Sequence, residues 1–149
     1  MSFEEIRVIT VVYLAVFIPI LIFITNRSKL PSWAPSFYII GVIVCALGWE
    51  LWFTYGWVHG DSVEIRRSEA LNTWLPQNIN WLLNSMGDAG AVLLGGTWLM
   101  WITHGRDNLV FKKWKWSAFI VFFVWCVSQN ILVEMFLYHD QLASGKPLS

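Results

Sequence analysis

Residues 8–25 contain no charged side chain. At a rise of 1.5 Å per helical residue, such a run matches the thickness of a bilayer's hydrocarbon core. Three further stretches, 37–57, 79–103 and 116–138, are of similar length, and their only charged side chains are Glu50, Asp88 and Glu134. In lipid every backbone polar group must find its partner within the protein, so runs of this kind are restricted to helices. The expected fold is therefore all-α: a polytopic membrane protein with a four-transmembrane-helix bundle, and residues 1–149 forming one integral-membrane domain. A composition of 56% hydrophobic and 13% charged residues departs from that of soluble domains in the same direction. The formal net charge of zero supplies no field that would recruit nucleic acid.

The connections set the order of the spans. Glu4 and Glu5 precede the first run, where a cleavable signal would be basic, so this run reads as a retained span. Pro19 removes a backbone donor within it and is expected to bend it. Residues 26–36 form a short connection with Arg27, Lys29 and two prolines, with Trp33 as an interfacial anchor. Residues 58–78 form the longest connection, expected to lie over the membrane surface as a lid or amphipathic turn. Residues 104–115 are basic through Arg106, Lys112, Lys113 and Lys115, and the segment from His139 onward reads as a frayed tail. Positive charge is weighted toward the connections after the first and third spans, which places both termini and the long connection on the non-cytoplasmic side. Cys45 and Cys126 show no metal-ligand spacing and read as buried thiols.

The third span is unusually polar. Asn80, Asn84 and Asp88 recur every four residues and so share one helical face, with Gly87, Ala91 and Gly95 on or beside it to admit a neighbouring helix. In an antiparallel arrangement Glu50, Asp88 and Glu134 fall at depths that agree within about 8 Å. Asn84 and Asn130 fall in the same layer. Ionisable groups at such depth are costly and mark functional sites. The expectation is one polar cavity in the outer half of the membrane, walled by Trp49, Trp52, Trp57, Trp81 and Trp125. There, a protonated carboxyl among Glu50, Asp88 and Glu134 acts as an acid, carboxamides orient it, and a neighbouring carboxylate and the indole faces stabilise a developing cation.

The segment Trp49-Glu50-Leu51-Trp52-Phe53-Thr54-Tyr55 resembles the signature of the integral-membrane terpene cyclases, which protonate and cyclise prenylated substrates. The resemblance covers about ten residues and implies that Glu50 is the acid; Trp49, Trp52 and Tyr55 are expected to meet an isoprenoid or other hydrophobic small molecule. Those cyclases have about seven spans and a second acid near the last helix. Asp88 and Glu134 sit in no matching motif, and a shorter chain would complete its site as a homo- or hetero-oligomer.

Two other readings follow from the same residues. Glu50, Asp88 and Glu134, with His59 or His139, are oxygen and nitrogen donors suited to a divalent metal, yet no H-x-x-x-H or E-x-x-H spacing accompanies them, and no cofactor is expected. Alternatively the carboxylates form a proton relay in a small transporter, or the polar residues only join helices in a non-catalytic pigment- or lipid-binding accessory subunit.

Overall fold

The computed structural model describes residues 1–26, 28 and 30–146, with the side chain of Glu134 also outside the description. Arg27 and Lys29, two of the basic residues that set the expected topology, therefore lie outside the described residues. The chain is mostly helical. Helix α1 (Phe3–Thr25) is followed by α2 (Ala34–Leu47) and α3 (Trp49–Tyr55). A hairpin of β1 (Trp57–Val58) and β2 (Asp61–Ser62) leads into two short helices, α4 (Val63–Arg66) and α5 (Glu69–Trp74). Then come α6 (Gln77–Gly87), a π-helical segment Asp88–Leu94 and α7 (Gly95–Thr103), which follow one another without a break. A 3-10 turn (Asn108–Phe111) precedes α8 (Trp116–Leu132), a second π-helical segment (Val133–Tyr138) and α9 (His139–Ala143).

The polar run 77–103 occupies the centre, packed against α1, α2, α3 and α8. Its small residues explain how. A Cβ on Gly90 would lie 2.8 Å from the ring of Pro19 in α1, and one on Gly96 would lie 2.7 Å from Phe122 in α8. From the opposite direction, Gly41 of α2 sits over Ala89 and Leu93. Backbones that approach this closely exchange dispersion contacts along their length, which is how helices associate where no hydrophobic drive operates. Helix α1 runs through Pro19 as one element, and its ring fills the notch at Gly90.

The stretch expected as one second span is divided at Gly48, where α2 and α3 meet at 43°. A side chain at Gly48 would place its Cβ 2.7 Å from the Val44 carbonyl oxygen. A break strands carbonyls of the last turn, and the indole N–H of Trp81 donates to the Ala46 oxygen at 2.8 Å. The first π-helical segment is served likewise, with Trp125 Nε1–H donating to the Ala91 and Val92 oxygens at 3.1 Å.

Both described ends of the chain and the long connection gather at one end of the molecule. His59 and Gly60 have φ of 52° and 83°, the two left-handed positions that a two-residue hairpin turn requires. Arg7 pairs with Asp140, Glu5 accepts the Ser68 hydroxyl at 2.5 Å, and Asp61 pairs with Arg66 and Lys146. The tail expected to fray is thus helical from His139 and pinned through Lys146; Gln141 and Leu142 are buried. Residues 147–149 lie outside the described residues. At the opposite end the ring of Trp33 meets that of Phe111 at 5.2 Å, and α7 stops on Gly105 at φ 73°. The Gly105 and Arg106 N–H groups return to the Ile102 and Trp101 oxygens, closing the helix end as a Schellman motif.

Two helices are long and apolar enough to cross a membrane, Phe3–Thr25 and Trp116–Ala143, with the bent pair α2 and α3 as a third if it counts as one span. None of the most apolar 18-residue stretch of Trp116–Ala143 is buried within the chain. Such an apolar exterior has lipid as its natural solvent.

Candidate functional site

A cavity of about 50 Å³ lies in the half of the molecule that holds the chain's described ends. Val8 and Val12 of α1 form part of its wall, with Phe53, Val133 and Leu137. Its polar lining is Glu50 from α3, Asn80 and Asn84 from α6, Asp88 from the first π-helical segment, Asn130 from α8, and Tyr138 and Gln141 beyond it. Six elements thus bring polar side chains to one small space. Asn80, Asn84 and Asp88 reach it because they stand on one face of the central run, and Glu50 because the break at Gly48 starts a new helix at Trp49, one residue before it.

The hydrogen bonds divide these groups. Trp49 Nε1–H donates to Asp88 Oδ2 at 2.7 Å, joining α3 to the central run across the cavity. Asn130 Nδ2–H is returned to the Cys126 carbonyl of its own helix at 2.9 Å, and Tyr138 donates to the Phe53 oxygen at 3.3 Å. Glu50 is 6% exposed. Asn80 is 1% exposed, and neither its Nδ2 nor its Oδ1 has a hydrogen-bond partner among the described residues. A carboxamide in that condition costs about 1–3 kcal/mol unless something entering the cavity bonds to it.

The aromatic residues are arranged differently from the expected wall. Trp49 lines the cavity, but Trp52 and Trp57 are each 67% exposed and stand away from it. Tyr55 donates to Asn78 Oδ1 at 2.7 Å and meets the edge of Trp81, whose indole serves the helix break, as that of Trp125 serves the π-helical segment. The aromatic faces at the cavity belong instead to Phe53 and Tyr138, whose centroids are 4.9 Å apart. Neither was singled out from sequence as a wall. Gln141 was hidden in the supposed tail, and Asn80, although visible in the four-residue stripe, was set apart from the expected site by its position near the helix start.

The backbone of Glu134 lies in the second π-helical segment, and its side chain is outside the described residues. Asp88 opens the first such segment. Single π-helical turns recur at functional sites because they displace the side-chain register of an otherwise regular helix. Among the described residues no three of His, Cys, Asp and Glu converge as a metal-binding set. His59 is in the hairpin turn, His104 bonds Ser117 at 2.8 Å, and His139 sits beside Asp140 at the surface.

One buried and one half-buried carboxyl, Glu50 and Asp88, with four carboxamides in a cavity of this size suit the holding and passing of a proton, or the capture of one polar end group. Comparison of the chain with protein-family models, curated sequences and solved structures returned no match.

Proposed function

We propose that this chain is a four-span, multi-pass membrane protein whose cavity is a membrane-embedded acid site acting on an isoprenoid or other lipid. One observation carries the reading: Glu50 and Asp88, on separate elements, line the same cavity as an enclosed carboxamide without a partner among the described residues, that of Asn80. Glu50 is the proton donor and Asp88, fixed by the Trp49 indole, is the counter-charge. Glu134 completes the acidic set, and Asn84 and Asn130 orient the reacting group. Both termini face the non-cytoplasmic side.

A volume of about 50 Å³ is far below the roughly 300 Å³ at which pockets for whole small molecules begin. It accommodates the reactive end of a lipid whose chain stays in the bilayer, entering past Trp49 and Asn130, both of which are exposed. Proton transfer to an end group fits this geometry better than the folding of a long prenyl chain inside the protein. Trp52, Tyr55, Trp57 and Trp81 then hold the protein and its lipid surroundings in place around that entrance.

The test compares the lipids of cells producing the chain with those producing Glu50→Gln, by mass spectrometry. A lipid product that is present with the first and lost with the second, while the variant keeps its helical circular dichroism, is expected. Identical lipid profiles would remove Glu50 as an acid. The small volume also favours a second reading, a proton relay. Glu50-dependent proton flux across reconstituted vesicles, without any lipid conversion, would replace the first reading by this one.

A further inference from the structure

A second cavity lies at the opposite end of the molecule, between α7, the 3-10 turn and the start of α8, with a volume of about 370 Å³. Its floor is apolar: Met100, Val110, Phe111, Ala118, Phe119 and Phe122. Its rim carries Lys112, Lys113 and Lys115, all exposed and none in an ion pair among the described residues. Asp107 is the only acid in residues 104–118; it is exposed, caps the 3-10 turn by accepting the Leu109 N–H at 2.9 Å, and does not line the cavity. Trp114 and Trp116 flank the rim at 66% and 68% exposure.

We infer that this cavity binds an anionic phospholipid, its phosphate on Lys112, Lys113 and Lys115 and its glycerol and upper acyl chain on the floor. Charge complementarity identifies the headgroup: three uncompensated ammonium groups surround an opening with no carboxylate facing them. Continuity identifies the rest of the molecule. The floor residue Phe119 belongs to the exposed apolar face of α8 that Ile120 and Phe123 continue, so a chain entering the groove runs on along a surface already suited to lipid. Indoles at the rim occupy the boundary layer in which a glycerol backbone lies. Basic pockets between helices at that level recognise anionic headgroups rather than zwitterionic ones.

The inference rests on the membrane-spanning part of the proposal above and is independent of the acid site. Resistance to alkaline extraction from phosphatidylcholine vesicles is measured first; release of the chain would overturn both the spanning reading and the groove. The retained protein is then released into detergent with equal amounts of phosphatidylglycerol and phosphatidylcholine, and the bound lipid is weighed by native mass spectrometry. Each lysine near an anionic headgroup contributes about fivefold in binding, so the intact chain retains phosphatidylglycerol at least about fivefold over phosphatidylcholine. The joint variant Lys112→Gln, Lys113→Gln, Lys115→Gln loses that preference. Thr97→Trp keeps every lysine but fills the groove, and it loses retention of both lipids. Equal retention of the two lipids by the intact chain would overturn the inference, as would an unchanged preference in either variant. Complete displacement of phosphatidylglycerol by glycerol phosphate would show a free-phosphate site and overturn it as well.

Discussion

Gly90→Ala tests the packing that sets the candidate site. The added methyl would stand 2.8 and 2.9 Å from the Cγ and Cβ of Pro19 and 3.6 Å from Tyr38. Carbon atoms rest at about 3.5–4.0 Å. The proline ring is fused to the backbone of α1 and has no rotamer to change, so relief requires α1 and the central run to part by about 0.7 Å. Overpacking of this kind costs about 1–3 kcal/mol. Replacing a helical glycine by alanine returns about 1 kcal/mol. The net expectation is a loss of about 0–2 kcal/mol, centred near 1 kcal/mol or roughly fivefold in the unfolding constant, since 1.4 kcal/mol is a factor of ten. Gly87→Ala is the control, because its methyl would meet only the Cβ of Ala15, at 3.2 Å, and a shift of a few tenths relieves it. That variant is expected to be neutral or slightly stabilised. Unfolding in mixed micelles by added dodecyl sulfate, followed by far-ultraviolet circular dichroism, measures both. A Gly90→Ala protein as stable as the Gly87→Ala protein would refute the claim that α1 is held against the central run through Pro19 and Gly90.

Trp81→Phe removes the donor to the Ala46 carbonyl at the Gly48 break and is expected to lower stability by about 1–3 kcal/mol; an unchanged unfolding midpoint in the same assay would show that the break needs no such support. Asn80→Leu replaces an enclosed, protein-unpartnered carboxamide by an apolar group of similar size, and the chain should gain about 1–3 kcal/mol while losing the Glu50-dependent activity. Retained activity would count against Asn80 as part of the site. Asp61 is held below its ordinary value of 3.8, first by the hydrogen bond from Lys146 and then by the charges of Lys146 and Arg66. Because the folded carboxyl is the stronger acid, its contribution is complete above that ordinary value and disappears as the pH falls through the lowered one. The melting-temperature gap between the natural chain and Asp61→Asn should therefore be present at neutral pH and vanish in acid below 3.8; a gap that grows in acid would contradict this.

Much of this arrangement was legible in the sequence because it depends on period and size. Asn80, Asn84 and Asp88 share a face by their spacing of four, and Gly87 and Gly95 mark close approaches, to Ala15 and Trp125. The irregular features were not legible in the same way. Whether Gly48 bends or breaks a helix depends on a donor 33 residues further along the chain, Trp81. A tryptophan in the sequence suggests a wall because it is large and aromatic, yet Trp81 and Trp125 are placed by their N–H groups, each drawn to carbonyls freed by an irregular helix. The His59-Gly60 turn is a local signal, two residues between short extended segments, masked in the sequence by the polarity of the surrounding stretch. The pinned tail could be seen only through partners distant in sequence: Arg7 for Asp140 and Asp61 for Lys146.

The departures from regular helix surround the cavity. The break at Gly48 lies directly before Trp49 and Glu50, one π-helical segment begins at Asp88, and the other carries Val133, Leu137 and Tyr138 into the wall. Polar residues kept only to join helices would pair with one another across regular helices, each bond worth a fraction of a kcal/mol. Here only some do so, as Trp49 does with Asp88. Asn80 is enclosed without a partner among the described residues, Asn130 is turned back on its own helix, and three backbone irregularities are supported by dedicated indoles or tolerated beside the cavity. Rules of local consistency are broken in natural proteins chiefly where function requires it. An arrangement that forgoes the stability of a leucine at position 80 and of an unbroken helix at Gly48 is what the proposed function of the cavity would require.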